Sequence, residues 1–289
     1  MHGFLNIDKP TGMTSHDVVA RVRRAARQKR VGHAGTLDPA ATGVLVLALG
    51  AATRLIEYVQ DGTAKRYLAT VRLGVTTATD DAEGAVLATA PVPALDRPAL
   101  ERALESFRGE ILQEPPMYAA LHHEGRRLYE LAREGIVVER PARPVTIDRL
   151  ELIEWSPPTL ALDVMCSKGT YIRALARDLG AALGCGAHLE ALRRTAVGGF
   201  LIEQATPLAA IEDQPEMLMS ILLPPEIAVA DWPAAQVNAE QARQLRNGQA
   251  IELAGIAGPR ARAHGPGGAL LALLARAGEV WRPEKVFEL

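Results

Sequence analysis

The sequence predicts an α+β fold, a mixed and mostly antiparallel sheet with flanking helices, followed by a small β-rich unit. Three observations carry this expectation. Strand-like and helical segments alternate, yet residues 145–153 and 159–165 read as neighbouring strands joined by Ser156, Pro157 and Pro158, which a regular doubly wound fold does not produce. The chain has 289 residues, 48% of them hydrophobic, enough for one large domain and a small one. Near Pro224 and Pro225 the composition shifts, and short Gly- and Ala-rich strand candidates follow.

Taken in order, residues 4–7 form an apolar strand that ends in the turn Asp8-Lys9-Pro10-Thr11-Gly12. A helix is expected over 16–30, with Thr14 or Ser15 as its cap and Val18, Val19 and Val22 on one face. Residues 32–43 are a loop punctuated by Gly, Thr and Pro, followed by the apolar run 44–49. Residues 65–74 read as a strand with Leu68, Val71 and Leu73 as its apolar set. Residues 96–107 read as a helix, with Asp96 at the cap, Pro98 in the first turn and Gly109 past the end. A polar, basic excursion over 115–144 contains one short helical stretch, 127–133. After the strand pair, a helix over 169–183 is stopped by Gly184. The C-terminal unit offers a helix at 239–246 and strands at 250–253, 269–275 and 286–289. The expected division is 1–228 and 229–289, the second within the range where compact domains fold independently.

Bulk properties narrow the function. Net charge is −2, so a polyanionic partner has to be met by local basic patches. Cys166 and Cys185 are expected to be free thiols, and no second pair at metal-ligand spacing suggests a zinc site. The N-terminus lacks the apolar core of a signal peptide, and no apolar run approaches the ~18 residues of a membrane span. A cytoplasmic protein with no membrane partner is expected.

Three segments hold candidate chemistry. In 31–43, Gly32, Gly35, Pro39 and Gly43 fix a tight loop around a single carboxylate, Asp38. On spacing alone an Asp-Pro step of this kind is a turn or cap, and His33 a loop histidine. The run Arg21, Arg23, Arg24, Arg27, Lys29 and Arg30 suits either phosphate contacts or a solvated helix face. The excursion interleaves Tyr118, Arg126, Arg127, Tyr129, Arg133, Arg140 and Arg143, a mixture of cations and aromatics suited to RNA backbone and bases. A loop of that length inside a compact domain is usually functional.

The run Gly32-His33-Ala34-Gly35-Thr36-Leu37-Asp38-Pro39-Ala40-Ala41-Thr42-Gly43 resembles the central motif of the TruB family of tRNA pseudouridine synthases. Four further blocks resemble that family in its own order. They are Gly3 to Ser15, Lys65-Arg66-Tyr67 with Leu73-Gly74, Cys166 to Arg173, and Gly186-Ala187-His188 with Leu192-Arg193-Arg194-Thr195. Together they span roughly residues 3 to 200.

The resemblance implies a pseudouridine synthase fold with an RNA-clamping thumb at about 113–144. It implies an enzyme that detaches uracil from C1′, rotates it and reattaches it through C5, acting on the T-loop uridine at position 55 of tRNA. Asp38 would be the catalytic carboxylate, either nucleophile at C1′ or base at the 2′ position; both routes stay open. Arg173 would pair with Asp38, lowering its pKa and fixing its orientation. Tyr67 would stack on the base and take the C5 proton, with Leu192 on the other side of the ring. His33 would fill the space left by a flipped base. Lys9 would contact phosphate, Asp81 (with Asp80 as the alternative) and Tyr171 the substrate, and Tyr118, Arg126 and Arg127 the RNA from the thumb. Two departures bear on affinity. Ala78 stands where the family has an acidic residue, and His122 where lysine is common, which would make a phosphate contact pH-dependent.

From about Asp231 the chain resembles a PUA domain, chiefly through 245–251, which implies binding of the acceptor-stem end. No metal or organic cofactor and no obligatory protein partner is implied, and a monomer is expected. Two alternatives have their own signatures. A guide-RNA-dependent synthase would be inactive on bare transcript, and a tRNA-folding protein would not need Asp38.

Overall fold

The computed structural model describes the chain except residues 62, 120, 121, 124, 137 and 289, and describes 122, 123, 127, 129, 130 and 133 by backbone alone. A mixed sheet forms the body. Its path comprises β1 (Gly3–Lys9), β2 (Thr42–Leu49), β3 (Lys65–Leu73), β4 (Gly109–Gln113), β5 (Arg143–Ser156), β6 (Thr159–Cys166), β7 (Ala187–Val197) and β8 (Thr206–Pro207). The spatial order is β8-β1-β2-β7-β3-β6-β5-β4. Along this path only β1–β8 and β2–β7 are parallel pairs; the other neighbours run antiparallel. The expected α+β class and sheet character are what the chain forms.

Strand β2 is apolar without alternation because it is covered on both faces. Leu45, Leu47 and Leu49 enter one core, while Val44, Val46 and Ala48 enter another. Beside it lies β7, a strand that the sequence pattern does not predict. Two register breaks, at Leu189/Ala191 and Arg194/Ala196, interrupt its alternation and hide the period of two. The close parallel approach of β2 and β7 depends on Gly43. Its φ is +99°, and a Cβ there would sit 2.2 Å from the carbonyl oxygen of Arg194.

Helix α1 (Ser15–Ala25) opens on a capping box between Thr14 and Asp17. It ends five residues before the expected boundary at 30, because Arg27 turns the chain at φ 48° and Val31–His33 then pairs with β2. Helix α2 (Arg97–Glu105) is capped by Asp96, as expected, and buries Leu100 and Leu104. Helix α3 (Ile172–Ala182) starts later than the expected 169 and buries most of its first two turns. The helical turns Gly50–Leu55 and Ile56–Asp61 and the edge strand β4 had no counterpart in the sequence reading. Among the described residues no helix is long and apolar enough to cross a membrane.

The C-terminal sheet has the order β9 (Ala234–Gln236), β10 (Arg260–His264), β11 (Leu270–Ala277) and β12 (Val280–Val286), with α4 (Ala239–Arg246) packed on it. The helix falls where expected. The strand expected at 250–253 is reduced to one bridge between Ile251 and Trp281, and the last strand occupies 280–286 instead of 286–289. Register breaks on both sides of β11 interrupt simple alternation and divide its side chains between two cores. Leu271 and Leu274 pack with Leu245 and Trp281, whereas Leu270 and Leu273 join Val44, Val46 and Phe200 under the large sheet.

Candidate active site

Between Val31–His33 and β2 the chain makes the loop that carries Asp38. Leu37 anchors it: the Leu37 N–H donates to Ser15 Oγ at 2.9 Å, and that hydroxyl donates back to the Leu37 carbonyl at 3.1 Å. Two buried cations hold carbonyls on both sides of Asp38. Lys9, 0% exposed, donates from Nζ to Pro10 O (2.9 Å), Pro39 O (3.1 Å) and Ala41 O (2.7 Å). Arg194, 1% exposed, donates from Nη2 to Gly35 O (3.0 Å), Nη1 to Thr36 O (3.2 Å) and Nε to Val44 O (2.7 Å). Lys9 is therefore not the phosphate contact expected of it, since its ammonium is enclosed and spent on the loop backbone. Burial, outweighing the pull of Asp38, brings its pKa down to about 8.

Arg173, at the start of α3, grips Asp38 at two points: Nε to Oδ2 at 3.0 Å and Nη2 to Oδ1 at 3.3 Å. The same guanidinium reaches Asp81 Oδ2 at 3.4 Å, Thr79 O at 3.2 Å and Tyr118 O at 2.8 Å. The expected pairing is present, but its expected effect on pKa is reversed in sum. The Asp38 side chain opens onto the cleft, 41% exposed, yet the surrounding walls desolvate its carboxylate. That desolvation raises its pKa above the ordinary aspartate value, outweighing the lowering by Arg173; Asp81 pushes it further up.

Above this ion pair lies a cleft of about 280 Å³. It brings together Asp38, Tyr67, Tyr118, Tyr171, Arg173 and Leu192 from the loop, β3, the excursion between β4 and β5, the cap and start of α3, and β7. Tyr67 is buried, which raises the pKa of its hydroxyl, and Arg194 is the largest opposing influence. Asp81 borders a smaller adjoining cavity with Asp38, Arg173 and Leu192.

Some expected residues lie elsewhere. His33 stands edge-on to His16 with ring centres 5.3 Å apart, outside the cleft lining, and burial lowers its pKa, with His16 adding to the effect. Arg126, exposed on the excursion between β4 and β5, pairs with Glu134 at 2.5 Å. The side chains of Arg127, His122, Tyr129 and Arg133 lie outside the described residues. The basic run is partly consumed internally, Arg21 by Glu212, Arg23 by the Val31 carbonyl and Arg30 by Thr53, which leaves Arg24, Arg27 and Lys29 exposed. Both cysteines are free and buried, and burial moves the Cys166 thiol up to about 11.

Two cations of the cleft wall, Lys65 and Arg194, carry no role in the sequence analysis. Both sat inside quoted motif blocks, but nothing local marks a lysine or arginine as buried. Burial lowers the Lys65 pKa, and Arg194 adds to the effect.

Comparisons with known proteins match this geometry to one family. The profile for TruB family pseudouridylate synthase (N terminal domain) matches residues 23–172. The tRNA pseudouridylate synthase B C-terminal domain matches 173–230, and tRNA pseudouridine synthase II, C terminal, matches 232–288. The chain is 48% identical over 255 residues to the tRNA pseudouridine synthase B of Gloeobacter violaceus, covering 87% of each chain. It is 46% identical over 280 residues to that of Syntrophomonas wolfei, covering 94% of this chain and 93% of the other. Among solved structures, a Cbf5-Nop10-Gar1 complex superposes with a TM-score of 0.76 at 27% identity, covering 99% of this chain and 85% of that one. An H/ACA RNP bound to a substrate RNA containing 2′-deoxyuridine gives 0.74 at 26% identity, with the same coverage.

Proposed function

The chain belongs to the TruB family of pseudouridine synthases, and from that premise we propose that Asp38 is the carboxylate that isomerises the T-loop uridine at position 55 of tRNA. The reaction breaks the N1–C1′ bond and forms C5–C1′; C5 loses a proton and N1 gains one. The observation that carries the reading is the two-point Arg173–Asp38 pair in the wall of the cleft shared by Tyr67 and Leu192. A carboxylate oriented this way and made more basic by desolvation serves as nucleophile at C1′ or as base at the 2′ position. Tyr67 and Leu192 take the two sides of the uracil, and the Tyr67 hydroxyl removes the C5 proton. Tyr171 lines the same wall, and Asp81 acts on the substrate by way of Arg173. His33 occupies the place of the extruded base.

The rest of the proposal concerns grip. The thumb, about 113–144, clamps the T arm through Tyr118, Arg126 and Arg127, and residues 229–289 act as a PUA-like unit on the acceptor stem. The enzyme works in the cytoplasm as a monomer without a guide RNA or partner protein. Identity favours this stand-alone reading: 46–48% to relatives named tRNA pseudouridine synthase B, against 26–27% to chains from the H/ACA and Cbf5 complexes.

The test is conversion of an unmodified tRNA transcript by the wild type and by Asp38→Asn. Conversion confined to the T-loop uridine and abolished in the variant is expected. Wild-type protein that binds the transcript without converting it would overturn the enzymatic reading, and conversion by Asp38→Asn would overturn the role of Asp38.

A further inference from the structure

One turn along α3 from Arg173, on the same helix face, stands Arg177. Its guanidinium makes three contacts. Nη1 meets Asp80 Oδ2 at 3.1 Å, Nη2 donates to the Glu114 carbonyl at 3.0 Å, and Nε meets Asp178 Oδ1 at 2.8 Å. Arg177 and Asp80 are mostly buried, with 27% and 18% of their side chains exposed.

These contacts repeat the pattern of Arg173. Each arginine holds the acidic loop with one hand, Arg173 through Thr79 O and Asp81, Arg177 through Asp80. Each holds the entry to the thumb with the other, Arg173 through Tyr118 O and Arg177 through Glu114 O. The entry is fixed further by Gln113, whose side chain accepts from the Tyr171 N–H at 2.8 Å and donates to the Tyr171 carbonyl at 3.2 Å. Glu114 also ties to Arg140 at 2.5 Å, joining the two ends of the thumb. The acidic loop itself is held in an uncommon shape: Asp80 has φ 60°, while its carbonyl accepts from Leu189 N at 3.0 Å and Ala82 N donates to Leu189 O at 3.0 Å. A left-handed non-glycine residue needs contacts that over-determine it, and its ion pair with Arg177 is one of them.

We infer that Arg177 and Asp80 are a positioning pair: they lock the acidic loop and the thumb entry to α3, so that the seating of the thumb and the alignment of Asp81, Arg173 and Asp38 form one unit. The inference rests on the reading of Asp38 as the catalytic carboxylate. Neither residue of the pair lines the cleft, so both act through Arg173 and the loop backbone. Misplacement of a reacting group by about 1 Å costs up to ~100-fold in rate, so a modest shift in this frame is visible in the chemical step.

The experiment is single-turnover conversion of an unmodified tRNA transcript by Arg177→Gln, Arg177→Lys and Asp80→Asn, with tRNA Kd and melting midpoint measured on each. Asparagine is chosen at Asp80 because it tolerates the left-handed backbone. The neutral variants are expected to lose about tenfold in single-turnover rate at saturating tRNA, at a temperature well below each variant's melting midpoint. The Arg177→Gln/Asp80→Asn double variant should be no slower than either single one, because the two share one interaction. Arg177→Lys, which cannot reproduce the planar three-way contact, should recover little. Single-turnover rates within about twofold of wild type in both single variants overturn the inference, as does a loss of rate that merely tracks a lowered melting midpoint. Asp38→Asn run alongside separates the two claims. Conversion by Asp38→Asn overturns the assignment of Asp38, whereas an inactive Asp38→Asn beside wild-type rates in the Arg177 and Asp80 variants overturns only the positioning pair.

Discussion

Arg194 and Tyr67 face each other as cross-strand partners of β7 and β3, and both line the wall of the cleft. Burial pushes the Tyr67 hydroxyl up in pKa, and the Arg194 guanidinium is the main force against that rise. Among the described residues Arg194 has no carboxylate partner, so its charge is committed to three backbone carbonyls and is felt by the phenol. Tyr67→Phe keeps the ring and its packing while removing the hydroxyl. It is expected to bind tRNA as the wild type does and to lose ~10²- to 10⁴-fold in conversion, the scale of a lost general base. Equilibrium binding and single-turnover assays on one preparation check this, and an unimpaired rate would exclude the hydroxyl from proton transfer.

With Asp38 as the proposed catalytic carboxylate, its raised pKa should set the acid limb of the reaction. The reactive form is the carboxylate, so the rate should fall as pH drops through the folded-state pKa. That limb should lie above the ~3.9 of an unperturbed aspartate, because burial outweighs Arg173. Arg173→Gln removes the cation that favours ionisation, so its residual activity should show an acid limb at still higher pH. Single-turnover rates against pH for both proteins test the sign. A limb that stays in place would mean that Arg173 does not govern the charge of Asp38.

Lys9 gives a prediction about stability. Its pKa is lowered to about 8 by burial, against ~10.4 in an unfolded chain. Between these values the unfolded state binds more protons, so the contribution of Lys9 to stability improves as pH rises from about 8 toward 10. Lys9→Met lacks this term and also leaves the carbonyls of Pro10, Pro39 and Ala41 without their donor. It should be destabilised by about 2–3 kcal/mol at neutral pH, with the gap to wild type widening as pH rises through that window. Urea unfolding at a series of pH values measures both, and a gap that narrows would contradict the burial of the ammonium.

Much of the site was legible because motif blocks mark it locally, and the pairing of Arg173 with Asp38 followed from them. The exceptions share a cause. Strand β7 was missed because its two register breaks destroy the alternation by which a strand is recognised. The edge strand β4, mostly exposed, offers too little apolar pattern to be seen. Lys9 reads in sequence as a phosphate contact because its enclosure is created by carbonyls some thirty residues away. The Asp38 pKa was read from its partner alone, whereas the deciding influence is desolvation by walls drawn from several parts of the chain.

Leu270 and Leu273, on the C-terminal strand β11, complete the apolar cover over Val44 and Val46 of β2. Each such side chain contributes about 1.5–3 kcal/mol when fully buried. Amputating the C-terminal unit would therefore uncover one side of the strand that leads out of the Asp38 loop. A shortened enzyme that fails on tRNA would be reporting an exposed, sticky flank as much as a missing handhold. The RNA contacts proposed for the unit are best tested by single surface changes in the intact chain, which leave that seam closed.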